Sequence, residues 1–232
     1  MPSDSRLSTR LRFGVAALLV AVGAAASLAV APGLPERMVT QWNGAGEPTG
    51  TLPRTLGMWF VPGLAAGLIG LFALLPQIDP LGENIAAFRV HYDRFVVVVT
   101  AFLVAVHLAV LAVNLGYAVD VTTLAVAGAA ALFYYLGTLL PHVEPNWFVG
   151  IRTPWTLSDD AVWDRTHALG ARLFKLSAAI AVVGLFAGEY AVYFLVGPAL
   201  ATAAATVAYS YVLYARGPDE GDDGDASART AK

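Results

Sequence analysis

FVVVVTAFLVAVHLAVLAVNL, residues 95–115, is the stretch that decides the fold. A helix needs about 20 consecutive apolar residues to cross the hydrocarbon core, and this run carries no Asp, Glu, Lys or Arg. Five further runs are of the same kind: approximately Phe13 to Ala31, Leu56 to Leu75, Val121 to Leu140, Ala168 to Gly188 and Tyr190 to Tyr214. Composition agrees, with 57% hydrophobic residues, 13% charged and a mean hydropathy of +0.64. Soluble domains run at about 45–50% apolar and about 25% charged. The expectation is an all-α polytopic transmembrane bundle of about six spans in the cell membrane. The fifth run is the least apolar at its start, where Arg172 and Lys175 have to snorkel toward the interface.

Lysine and arginine placement orients the chain. With the N-terminus inside, Arg6, Arg10, Arg12, Arg89, Arg94, Arg152, Arg165, Arg172, Lys175, Arg216, Arg229 and Lys232 fall on the inner side. Only Arg37 and Arg54 fall outside. That asymmetry follows the positive-inside rule, so both termini and the 141–170 loop are expected to be cytoplasmic and the 32–55 loop exterior. The basic N-terminus and first apolar run also have signal-peptide features, but the run exceeds the usual ~7–15-residue core. An uncleaved first span is the simpler expectation. The chain has no cysteine, which removes disulfides, thiolate chemistry and cysteine metal sites.

Three units are expected: residues 1–55, the first span with its exterior loop; 56–215, a five-span bundle; and 216–232, an acidic tail. Asp219, Glu220, Asp222, Asp223 and Asp225 crowd that tail, which has too little apolar sequence to fold and reads as disordered. The exterior loop is rich in proline and glycine, so successive turns are expected. Leu34 to Gln41 is expected to form a short interfacial turn of helix, seating Met38 and Trp42 in the headgroups.

Polar residues within the spans are few. His107 and Asn114 lie two turns apart on one face of the third span, which suits either a helix-packing hydrogen bond or a transport path. No carboxylate is expected in the middle of a span, Glu189 in the turn between the last two spans being the nearest. Small residues, including Gly128 and the Ala199 to Ala205 run, permit close helix packing.

The 145–167 segment, PNWFVGIRTPWTLSDDAVWDRTH, stands apart as polar and aromatic. Pro145 and Pro154 bracket a nonhelical section in which Gly150 permits a turn. Thr156 or Ser158 is expected to cap a helix starting near Asp159, with Asp159 and Asp160 in its first turn. Thr156 and Asp159 also fit the spacing of a capping box. Val162, Trp163, Thr166, Leu169, Gly170, Leu173 and Phe174 then share a helical face. Arg152 is suited to holding a carboxylate, stacking on a ring, or bonding carbonyls freed by the helix break.

Catalytic chemistry finds little support. His142, Glu144 and His167 lack the spacing of a metal-binding helix motif, and Ser158 and His167 would face different sides of one helix. There is no phosphate-binding glycine loop and no nucleophile elbow. No enzyme activity, cofactor or metal is expected.

The run Asn146 to Ser158, with Trp163, Thr166 and His167, closely resembles the signature of the SdpI-type membrane immunity proteins. The first span and the loop with Gln41, Trp42, Asn43 and Gly46 are similar to the uncharacterised module that precedes it in many members. The resemblance implies a nonenzymatic protein of the cell membrane that protects against a secreted peptide toxin on the exterior side. It further implies signalling through capture of a small DNA-binding repressor on the cytoplasmic side, without direct nucleic-acid binding. Asn146, Gly150, Arg152, Thr153, Pro154, Trp155, Thr156, Trp163 and His167 are the motif positions expected to carry that role. A small transporter or channel using His107 and Asn114 is the alternative.

Overall fold

The computed structural model describes residues 2–217, with side chains from residue 7 onward; the expected acidic tail lies outside the described residues from 218 on. Helix α1 (Pro2–Val30) leads into a hairpin of strands β1 (Arg37–Trp42) and β2 (Pro48–Pro53), followed by α2 (Arg54–Ile78) and the short α3 (Gly82–Ala87). Then come α4 (Arg89–Asn114), α5 (Val121–Leu139), α6 (Asp160–Gly184) and α7 (Ala191–Arg216). All but α3 are long and apolar enough to cross a membrane, giving six candidate spans. Large apolar side chains such as Phe60, Leu71, Val183 and Phe186 point outward. In water such a surface would aggregate; in lipid it is the solvated face.

The helices pack as two groups, α1 with α2 and α4, and α5 with α6 and α7, joined through α4 and α5. Small residues set the closest approaches. A Cβ on Gly137 of α5 would strike the Ala171 carbonyl and the Lys175 side chain of α6, so only glycine lets these helices come so near.

Each end of the bundle has its own core. At one end Ile85, Phe88, Tyr92, Val96, Leu139, Val143 and Trp163 pack together. A fully buried carboxylate beside them ties α1 to α4: Asp93 accepts from Arg89 Nε at 2.6 Å and from the Thr9 hydroxyl at 2.5 Å, with Arg12 Nη1 at 3.7 Å. Asp93 lies in the second turn of α4, before the 95–115 apolar run, so the middle of this span stays free of carboxylates as expected. A buried acid of this kind persists only when paired and hydrogen bonded.

At the opposite end Leu34, Met38, Met58, Ala109, Val110, Leu111 and Val121 form the second core. Here the expected interfacial helix is replaced by the antiparallel hairpin, with Met38 opposite Leu52 and Val39 opposite Thr51. Alternation along β1 sends Met38 inward, fully buried, and pairing with β2 gives its backbone the partners that a helix would otherwise supply. Asn43 closes the tip: its Oδ1 accepts from Ala45 N at 3.0 Å and Glu47 N at 2.9 Å. The pair expected on one face of the third span is present there. His107 Nε2 meets Ser27 Oγ of α1 at 2.7 Å, and Ser27 Oγ donates to the Met58 carbonyl. Asn114 acts as a surrogate strand, accepting from Val39 N at 2.8 Å and donating to Val39 O at 2.9 Å.

Asn114 therefore clamps the hairpin to α4. Asn114→Ala leaves both polar groups of Val39 without this partner, at about 1–3 kcal/mol for each buried group. The expected outcome is faster proteolysis of the hairpin tip, residues 43–47, with helix content unchanged by circular dichroism. Equal cleavage rates would contradict the clamp.

Candidate functional site

The segment between α5 and α6 is not a loose connector. After the turn Leu140–His142, the backbone pairs with itself only toward the ends of the segment, as in Val143 N to Leu140 O and Leu157 N to Thr153 O, and in between side chains supply the partners. Asn146, fully buried, does most of this at the entry. Its Oδ1 accepts from Phe148 N at 2.9 Å and Val149 N at 2.7 Å, and its Nδ2 donates to the carbonyls of Glu144 and Val149. No hydrophobic side chain of that size could serve all four groups.

The middle of the segment is held by His167 of α6. Ile151 N donates to His167 Nε2 at 3.0 Å, and His167 Nδ1 lies 2.8 Å from the Trp163 carbonyl. An acceptor at Nε2 and a carbonyl facing Nδ1 require the neutral imidazole with its proton on Nδ1. Trp163 stacks on that ring at 4.1 Å between centroids, and its indole N–H donates to Val143 O at 2.7 Å. Gly150 has φ +116°, and a Cβ there would collide with His167 Nε2. Glycine is thus required twice at this position, for the backbone and for the space.

Thr153 and Thr156 lock the exit. Thr153 N donates to Thr156 Oγ1 at 2.9 Å, Thr156 N donates to Thr153 Oγ1 at 3.1 Å, and Thr156 Oγ1 donates to the Ile151 carbonyl. Thr156 is therefore a buried loop lock rather than the helix cap expected of it. Ser158 is not the cap either, since its hydroxyl donates to Trp155 O. Asp159 caps α6, accepting from Val162 N at 3.0 Å, with Asp160 alone in the first turn. A carboxylate at this position also opposes the positive end of the helix dipole.

Partners from elsewhere in the chain complete the site. Asp79, between α2 and α3, accepts from Trp147 N at 3.0 Å and from Leu81 N at 2.8 Å. Asn84 of α3 donates to Pro145 O at 2.7 Å. From α7, Ser210 accepts from Thr153 Oγ1 at 3.2 Å, and the Tyr211 ring meets Trp155 at 5.1 Å. Sequence reading missed all four. The available signal was Asp79, Glu83 and Asn84 gathered in one short stretch between spans, and a serine set between two tyrosines near the end of the last span.

The nine motif positions divide by exposure. Asn146, Thr153, Thr156, Trp163 and His167 are buried, and Trp155 is half-buried against Tyr211. Gly150, Arg152 and Pro154 are exposed. Among the described residues none holds the Arg152 guanidinium, so it is not the arginine that fixes the loop. Trp147 and Phe148, 54% and 40% exposed, and Leu157, 50% exposed, stand on the same segment. The metal triad considered above does not assemble: His142 stacks on His91 at 3.8 Å with Nδ1 beside Thr138 O, while both nitrogens of His167 are engaged. Among the described residues no group of three His, Asp or Glu is placed to hold a metal.

The SdpI/YfhL protein family matches residues 142–210, from the turn before the loop to the serine that accepts from Thr153. This chain carries an SdpI/YfhL-family segment. A domain of unknown function, DUF1648, matches residues 18–66, spanning most of α1, the hairpin and the first half of α2. The Immunity protein SdpI of Bacillus subtilis (strain 168) is 25% identical over 182 residues, 78% of this chain and 85% of that protein. No solved structure matches the chain. Six apolar helices and these relationships make it a multi-pass protein of the cell membrane.

Within the SdpI/YfhL segment, support and surface can be separated by mutation. Gly150→Ala and His167→Ala are each expected to lower thermal stability in detergent, by about 1–3 kcal/mol from strain or a lost buried hydrogen bond. Arg152→Ala should leave the melting temperature within error of the parent. A strongly destabilised Arg152 variant would show that the side chain supports the loop after all.

Proposed function

We propose that this chain is a nonenzymatic immunity and signalling protein that protects its cell from a secreted peptide toxin. The observation that carries the reading is the SdpI/YfhL match over a segment whose exposed face rests on a scaffold of buried hydrogen-bonded side chains. The relative named Immunity protein SdpI supports the same reading. Positive-inside asymmetry supports a cytoplasmic loop and an exterior hairpin.

In this proposal the exterior hairpin meets toxin and the 143–158 segment captures a small DNA-binding repressor. Arg152, with Trp147, Phe148 and Leu157 beside it in the segment, provides a binding surface: aromatic side chains and arginine dominate energetic hot spots at interfaces. Toxin would act by favouring a state with higher affinity for the repressor, a coupling between two sites. The competing transporter reading loses support, since His107 is bonded to Ser27 and Asn114 to the Val39 backbone.

Two measurements test this. Arg152→Ala is expected to abolish protection, and crosslinking to a small DNA-binding protein, while expression and insertion stay normal; full protection by the variant would refute the role. Because the chain has no cysteine, single cysteines report sidedness directly. In intact cells a membrane-impermeant thiol reagent should label Ala45→Cys and not Ser158→Cys, and the reverse pattern would overturn the orientation.

A further inference from the structure

At the loop end of the bundle α1, α4 and α5 enclose a groove of 370 Å³. Leu11, Val15, Val97, Val98 and Tyr135 line it, and Arg12 and Arg94 border it with the apolar stems of their side chains. Residues 11 and 15 are one helical turn apart on α1, and 94 and 97 nearly so on α4, so each of these helices contributes a stripe running along it. Leu11, Val15 and Arg94 are exposed, which in a membrane-spanning bundle means exposed to lipid. The Tyr135 hydroxyl donates to the His91 carbonyl at 2.9 Å, so the groove offers no neutral polar donor from that ring.

Charge does not balance here. Asp93 is taken by Arg89 at 2.6 Å and by Thr9, with Arg12 farther off at 3.7 Å and also donating to the Ser8 hydroxyl at 3.2 Å. Arg94 has no acid within ion-pair distance among the described residues. A guanidinium at the edge of the hydrocarbon is costly without a counter-charge, and guanidinium binds phosphate through paired hydrogen bonds. An apolar stripe leading away from two arginines matches one occupant: a molecule with an anionic phosphate head and an acyl tail.

We propose that this groove is a binding site for an anionic phospholipid, its phosphate on Arg94 and Arg12 and an acyl chain lying between α1 and α4. The lipid supplies the negative charge that the cluster around Asp93 lacks and joins α1 to α4 from the membrane side. The site is separate from the loop surface proposed to bind a protein partner.

The full chain in neutral detergent would be titrated with phosphatidylglycerol and with phosphatidylcholine of the same acyl chains, reading lipid adducts by native mass spectrometry and thermal stability. Wild type is expected to bind and be stabilised by phosphatidylglycerol in preference to phosphatidylcholine. Arg94→Gln, which removes an exposed side chain with no described partner, should weaken phosphatidylglycerol binding about tenfold, the scale of one charge-assisted hydrogen bond. Val15→Trp should weaken it by filling the tail seat, and Arg37→Gln on the hairpin should not change it. Unchanged preference in Arg94→Gln, or equal binding of the two lipids by wild type, would overturn the proposal. Equal stabilisation by glycerol 3-phosphate alone would also overturn it, revealing a site for a free anion.

Discussion

The structure depends on satisfying the backbone where it leaves the helical state. Where it is buried away from water, a free N–H or carbonyl has nothing in its surroundings to pair with, so it must find a partner in the chain. This protein meets that constraint at each end by a different device. At one end a hairpin pairs with itself and with the Asn114 amide. At the other, Asn146, His167, Thr153 and Thr156 serve the 143–158 segment as side-chain substitutes for a ladder. The buried polar side chains of the loop thus follow from the decision not to make it helical.

Once those bonds are made, the loop acquires an inside and an outside. Its inner side is fixed to α6 and α7, and its backbone at Pro145 and Trp147 is held by Asn84 of α3 and by Asp79 just before that helix. Its outer ones, Trp147, Phe148, Arg152 and Leu157, keep their contact surface open. A surface mounted on so many fixed points loses little conformational entropy on meeting a partner, which is the advantage of preorganisation. The same arrangement explains why a residue such as His167 can be essential to the segment without touching anything outside it.

How much of this was legible in the sequence differs from element to element. The six spans follow from hydropathy alone, because the bilayer demands length and apolar character and little else. The loop was visible because Asn146, Arg152 and three tryptophans break an apolar pattern. Which of its residues face inward was not visible: Thr156 and Asp159 are both sound helix caps locally, and only the packing of Thr156 beneath Ile151 assigns the cap to Asp159. The hairpin was misread as a helical turn because its pairing is set by Val39 meeting Asn114, far away in sequence. The burial of Asp93 was not visible either, since its partners Thr9 and Arg12 come from another helix.

Helix α4 carries both attachments, Asp93 near its start and Asn114 at its end. At about 1.5 Å of rise per residue the two anchors stand about 30 Å apart on one uninterrupted rod. A helix bends more readily than it shortens, because shortening would break its hydrogen bonds. The hairpin and the buried carboxylate are therefore mechanically in series: α4 cannot slide along its axis at one face of the membrane without sliding equally at the other.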